Sequence, residues 1–297
     1  MKQTIEWATP KKDGFKALEN TGRESKFTDH SFIPAARERK ARLNSGVTWL
    51  RILPAIKGGE NRGVLYPVET YEAGFNKWIK PEVGRDIVTD VRVKMYEKNR
   101  AALYSKANPN GIKLWGKPTG LAWAIDENAP KGKRLVLLAL SMYDGQRGGS
   151  AGVGFQLCTA AAEKDNEPGS KTMGQPIHGD ITDPEAGRLV KITKTTGGEY
   201  AQYTAAIGKN PAPIADYMAM LTEEELALIV PLESVINPVG EQDVINWLRA
   251  YMGPDFPEEV LEPRKPREQQ WADVKAAGKA QELLDAAKAA TQDEIPM

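Results

Sequence analysis

The sequence predicts a mainly β protein with added helices, an α+β chain built on a small barrel and ending in an acidic helical region. Three observations carry this. Gly187 to Ile207, GRLVKITKTTGGEYAQYTAAI, reads as a β-hairpin. Gly46 to Pro54, GVTWLRILP, is a β-forming run stopped by proline. Beyond residue 210 the charge turns acidic and the apolar spacing becomes helical.

In the hairpin, Thr195, Thr196, Gly197 and Gly198 form the turn between two strand-like runs. Strand side chains alternate with a period of two. Val190 and Ile192 therefore share one face, and Leu189, Lys191 and Thr193 the other. On the return, Ala201, Tyr203, Ala205 and Ile207 share a face, with Tyr200, Gln202 and Thr204 opposite. Apolar residues inside, with lysine and tyrosine interleaved, suit a small barrel that holds a charged polymer carrying flat rings.

Residues 1–45 read as a basic arm with scattered aromatics, with a short helix expected over Pro34–Leu43. The strand from Gly46 follows, with Arg51 inside it. A lone arginine in an apolar strand needs water or an anion, so Arg51 is expected to meet phosphate. Val64 to Tyr71 is a second strand, with Pro67 pointing to an edge or bulge. Asp86 to Ala107 has helical spacing at Val91, Met95 and Ala102 and is rich in cations. The segment IKLWGKPTGLAWAID combines lysines and aromatics. Arg134 to Met142, RLVLLALSM, is either a strand buried on both faces or a short buried helix. Loops are expected over Gly145–Gly154 and Glu163–Lys171. After the hairpin, Thr222 and Glu225 form a capping box ahead of Leu226–Val230. Asp243 to Met252 is amphipathic, and Gly253-Pro254 ends it. Pro257–Pro266 reads as a linker, Glu268–Ala290 as an Ala-rich helix, and the tip is DEIPM. The expected division is an arm over 1–45, a barrel domain over 46–215 and an acidic helical region over 216–297.

The chain has 297 residues, 41% hydrophobic and 27% charged, as in globular proteins. No apolar run approaches the ~20 residues that span a bilayer. The start, MKQTIEWATPKKDGF, lacks the apolar core of a secretory signal. One cysteine, Cys158, allows no intrachain disulfide and suits the cytoplasm. The formal net charge of zero hides a gradient. Residues 1–120 hold 23 Lys/Arg against 13 Asp/Glu, a net of +10; residues 211–297 hold 7 against 17, a net of −10. This implies a polyanion-binding front and an acidic tail.

Enzyme signals do not survive inspection. Gly111 to Lys117, GIKLWGK, has phosphate-loop spacing, but Pro118 stands where Ser or Thr must hold magnesium. His30, His178 and Cys158 are too scattered for a zinc site or a nucleophile relay. Asp180, Asp183 and Glu185 sit in DITDPEAGR, which reads as a turn. No enzyme activity, metal or cofactor is expected.

A groove for single strands needs cations along the backbone track and rings on which bases stack. Candidates are Arg51 in the first strand; Trp78 and Lys80 before the helix; Arg92, Lys94, Tyr96 and Tyr104 within it; Lys113, Trp115, Lys117 and Trp123 after it; and Lys191, Lys194, Tyr200 and Tyr203 in the hairpin. About half of these rings are expected to be core instead.

The order of features resembles the phage single-stranded DNA-binding proteins of the T-even helix-destabilising type. The resemblance covers roughly residues 35–215. It rests on the basic arm before TWLRILP, the basic insertion Asp86–Lys117, the Trp123-Ala124 pair leading to the loop DENAPKGK, and the closing hairpin. It implies an oligonucleotide/oligosaccharide-binding (OB) five-stranded barrel with a basic helical insertion. It also implies sequence-independent coating of single-stranded DNA in replication, recombination or repair, and self-association through the arm. T-even members carry a Cys/His zinc site in the insertion; this chain has no such ligands there, so no zinc is expected. The tip is similar to the acidic Ile-Pro-Phe tip of bacterial single-strand-binding proteins, which implies that Asp293, Glu294, Ile295, Pro296 and Met297 recruit a replication or recombination protein. The rival readings are an RNA-binding or translational repressor module on the same barrel, and a scaffold acting through its acidic tail.

Overall fold

The structure is a computed structural model describing residues 28–41, 43, 45–56, 64–80, 86–105, 108, 110–145, 150–168, 170–196 and 201–262. The chain divides into two compact units, Met1–Phe256 and Pro257–Met297. In the second, the described residues form a 3-10 turn, Glu258–Leu261. The Ala-rich segment and the DEIPM tip lie outside the described residues.

The first unit is mixed α/β. Its strands are β1 (Thr28–Asp29), β2 (Gly46–Ile52), β3 (Tyr66–Ala73), β4 (Asn76–Ile79), β5 (Lys117–Asp126), β6 (Leu135–Ser141), β7 (Arg188–Thr195) and β8 (Gln202–Pro211). Where a closed five-stranded barrel is expected, eight strands form one sheet; among the described residues no hydrogen-bonded pair closes it. Strand β5 is the hub. Along one edge it pairs with β6 through Thr119↔Ser141 to Ile125↔Leu135. Its other edge is shared: β3 pairs with its first half, Thr70↔Lys117 to Tyr66↔Leu121, and β2 with its second, Ile52↔Ala124 to Leu50↔Asp126. From β2 the sheet continues through β7 to β8. From β3 it continues through β4 to β1. All pairs are antiparallel except β1 with β4.

The hairpin has the expected alternation. Val190 faces Ile207, Ile192 faces Ala205 and Lys194 faces Tyr203. These apolar side chains join Leu50, Ile52, Ala122, Ala124, Leu138 and Leu140 in one core layer. The layer is closed by α3 (Val153–Ala162), through Val153 and Leu157. This helix begins at the end of the expected Gly145–Gly154 loop and fills the segment before the expected Glu163–Lys171 loop, for which the sequence predicts no element. Gly154 makes the fit possible, because a Cβ there would lie 2.7 Å from Met142 Sδ. The Gln156 amide lies along the free edge of β8, with Nε2 donating to Tyr203 O at 3.0 Å and Oε1 accepting from Ala205 N at 3.1 Å.

The opposite face of β5 and β6 is also buried. Leu121, Trp123, Ile125, Leu135 and Leu137 pack against Phe32 and Ala36, and against Ile214, Leu221, Ile229 and Val235. Burial on both faces accounts for the unbroken apolar run of β6. The covering helices are α1 (Pro34–Glu38), α4 (Ile214–Met218), α5 (Glu223–Ala227) and α6 (Leu232–Val235). The compact unit thus runs past the boundary expected at 215/216, because the first acidic helices are one wall of the core. Residues 28–41 of the expected arm are likewise built in.

The capping box at α5 forms as expected. Its Glu225 does more than cap. Fully buried, it accepts from Arg134 N at 2.7 Å and Leu135 N at 3.1 Å, clamping α5 to the start of β6. Burial pushes this carboxyl's pKa up, but these backbone bonds and those at Thr222 outweigh it, and the net shift is downward.

The insertion between β4 and β5 holds α2 (Ile87–Lys98), shorter than the expected Asp86–Ala107. Asp86 is its N-cap, accepting from Thr89 N at 3.2 Å. At Asn99 the backbone leaves helical geometry (φ −146°, ψ 60°), and a 3-10 turn, Arg100–Ala102, follows. The last helix, α7 (Glu241–Met252), ends at Gly253 with φ +57°, a left-handed conformation that favours glycine.

Candidate nucleic-acid interface

Fourteen of the fifteen candidates lie among the described residues and separate into four groups. The first is interior. Arg51 has no exposed surface. Its Nε donates to Ala212 O at 2.7 Å, and Nη1 to Ile52 O at 2.7 Å and Ile181 O at 3.1 Å. Nη2 donates to Asp183 O. Burial lowers its pKa, with nearby Asp180 and Asp183 opposing. The expected phosphate contact is therefore corrected: the outlet for this cation is a ring of backbone carbonyls supplied by returning loops. Trp123, 4% exposed, donates its Nε1 to Val230 O at 2.9 Å under the α5–α6 segment. It lies late in β5 rather than at a strand's start. Trp78, 2% exposed, stacks on Tyr71 at 5.9 Å and meets Trp247 of α7 at 5.4 Å. These two rings are core.

A second group consists of cations held by carboxylates. Lys80 lies 2.8 Å from Asp86 and 3.6 Å from Glu69. Lys94 pairs with Glu97 at 2.6 Å, and Lys117 with Glu72 at 2.6 Å. Arg92 stands apart from these, with a long 3.4 Å bond to Thr89 Oγ1.

The third group is a cluster of rings and cations in the insertion. Gly111 packs against the backbone of Leu103 and Tyr104, where a Cβ would come within 2.6 Å. Two backbone bonds fix the crossing: Tyr104 N to Ile112 O at 3.0 Å and Ile112 N to Ala102 O at 2.8 Å. This brings Lys113 and Trp115 beside Tyr104. The Tyr104 and Trp115 rings meet edge to face at 6.2 Å and 76°. Lys113 Nζ stands 4.8 Å over the Tyr104 ring. The Lys113 backbone is held by Tyr251 Oη, which accepts from its N–H at 3.1 Å. Tyr104 is 43% and Tyr96 46% exposed, and Arg100 lies 5.6 Å from the Tyr96 ring. Lys113 has no carboxylate within ion-pair reach among the described residues.

In the hairpin, Lys194 Nζ donates to Leu43 O at 3.1 Å and lies 5.7 Å from the Tyr203 ring. Tyr203 is half-buried on the core side. Lys191 lies on the other side, 5.9 Å from the centroid of Trp49. Trp49 was not among the candidates. Its signal was in the alternation of GVTWLRI: with Leu50 and Ile52 inward, Trp49 must face out. Tyr200 and Asp293–Met297 lie outside the described residues.

The acidic turn is as expected. Asp180 Oδ1 accepts from Thr182 N at 2.9 Å, and Asp183 Oδ1 from Glu185 N at 2.8 Å and Ala186 N at 2.7 Å. Among the described residues no helix is long and apolar enough to cross a membrane. No protein-family model matches the chain, and no match is found among curated proteins.

Proposed function

We propose that the protein binds single-stranded DNA without sequence preference, coating it as phage helix-destabilising proteins do in replication, recombination or repair. The observation that carries this reading is the Tyr104–Trp115–Lys113 cluster, in which Tyr104 and Lys113 are exposed and Trp115 is half-buried. Rings of this kind take a base on their faces at about 1–3 kcal/mol per base, and an unpaired cation beside them suits the phosphate. The order of strands supports an OB-type scaffold. The path β6–β5–β2–β7–β8, with α3 between β6 and β7 in the chain, has the OB connectivity, in which strand order is 3-2-1-4-5 and a helix joins strands three and four. On that reading α3 fills the gap between β6 and β8, and the insertion carrying the cluster is the loop between the first two barrel strands, a usual place for nucleic-acid contacts.

The test is anisotropy titration of the full chain with labelled oligo-dT, oligo-U and duplex DNA. Oligo-dT should bind far more tightly than duplex, and log K should fall with log salt by about 0.7 per phosphate neutralised. Tyr104→Ala should weaken binding by about 5- to 150-fold, the equivalent of one stacked base. Equal affinity for duplex, or no binding at low salt, refutes the proposal; preference for oligo-U redirects it to RNA.

A further inference from the structure

The outward face of β2, β7 and β8 differs from the rest of the sheet. Over β5 and β6 the same face is roofed by α1 and α4–α6. At Arg51 the roof is the Ile181–Gly187 turn and Ala212, which take the guanidinium's hydrogen bonds. From Arg51 toward Gly46 no such covering bond is made among the described residues, and the next side chains out are Trp49 and Val47. Trp49 is level with Lys191, which is level with Ala206; Val47 is level with Thr193, which is level with Thr204. Val47 is 52% exposed.

Trp49 does not stand up from the sheet. A Cβ on Gly208 would lie 3.6 Å from Trp49 Cζ3, so the indole reaches across β7 as far as β8. The ring is half-buried against the strands. Lys191 Nζ stands over it, 5.9 Å from the centroid, with no carboxylate within ion-pair reach among the described residues. The flanking side chains are small: Thr193, Thr204 and Ala206. Across GVTWLRI, RLVKITKT and QYTAAIGKNP there is no Asp or Glu, and on this face the cations are the buried Arg51 and, beside Trp49, Lys191.

We infer that this face is a second stacking track for single-stranded nucleic acid, with a base on the Trp49 indole and its phosphate at Lys191. It rests on the proposed function and adds a site that the insertion cluster does not include. Charge separates this occupant from a protein. The face offers the Lys191 ammonium and no carboxylate, which matches a phosphate. Its apolar part is limited to Val47, Trp49 and Leu189, too little for a hydrophobic interface core. The covering of β5 and β6 explains the location, since strands two and three of an OB sheet would otherwise present the binding face. Here the chain's own helices occupy it, and the open face lies on the other wing.

The experiment titrates labelled oligo-dT with the full-length protein and three variants. Trp49→Ala should weaken binding by about 5- to 150-fold, and Trp49→Phe, which keeps a ring, by much less. Thr204→Glu sets a carboxylate on the exposed face without disturbing the core. It should weaken binding at low salt and leave the melting temperature unchanged. Oligonucleotides carrying 5-iodouracil should photocrosslink to the peptide containing Trp49. Wild-type binding that survives Trp49→Ala and Thr204→Glu unchanged, while Tyr104→Ala lowers it, overturns this track alone. Failure of the wild type to bind overturns both readings. A change of oligomeric state in Thr204→Glu with binding intact makes the face a contact between copies and overturns the track.

Discussion

Arg51→Ala separates a structural arginine from a phosphate-binding one. The guanidinium serves four carbonyls, at Ile52, Ile181, Asp183 and Ala212, from a position with no exposure. A hydrogen bond to a charged group contributes about 1.5–3 kcal/mol. The gross attraction is offset by several kcal/mol for taking the cation out of water. Removing it leaves acceptors buried without donors, at about 1–3 kcal/mol for each one left unsatisfied, which puts the total on the order of 3–5 kcal/mol if the loops relax around part of the gap. In a unit of this size each kcal/mol moves Tm by about 2–4 °C, so Arg51→Ala should melt about 6–20 °C lower. The Ile181–Gly187 turn and the Ala212 segment should exchange amide hydrogens faster than in the wild type, since both are anchored to this side chain. Calorimetry with oligo-dT titration well below the variant's Tm makes the comparison. Affinity per folded molecule should be unchanged. Weakened binding with an unshifted Tm would refute the argument and return Arg51 to the nucleic acid.

Two further outcomes follow from the charges described. Asp29 is held down to about pKa 2, its burial opposed by bonds from Lys40 and Ser31, and Glu225 is also shifted down; stability from both is full above the ordinary carboxylate range and is lost as pH falls from there through the lowered folded-state values, so acid titration should release the α5–β6 clamp and Glu225→Ala should flatten that limb. Burial pushes the Cys158 thiol up to about 11, so alkylation at pH 8 should be slow in the folded protein and become fast only with unfolding, as timed mass spectrometry would show.

Alternation made the hairpin legible, because only one register puts Val190, Ile192, Ala205 and Ile207 in the core together. The capping box at Thr222 and Glu225 was legible because it is local. Arg51 was not, since its partners are carbonyls 130 to 161 residues away along the chain. Trp78 and Trp123 read as binding rings because composition does not show that α7 and the α5–α6 segment return to cover them. Helix α3 was hidden by the glycines ahead of it, although Val153 and Leu157 already have helical spacing. Within the insertion, Tyr104, Lys113 and Trp115 were each legible as types. Their meeting depends on Gly111, whose missing Cβ lets two backbone segments touch.

The side chain of Gln156 has a consequence for life in a crowd. An edge strand with free amides and carbonyls is a template for another strand, and proteins blunt such edges. Copies gathered on one DNA strand would sit at high local concentration, where β8 of one copy meeting β8 of the next would fuse them into a continuous ribbon. The glutamine amide already occupies Tyr203 O and Ala205 N, giving and accepting as a strand residue would. One side chain thus takes up two of the backbone groups that a second strand would need at this edge.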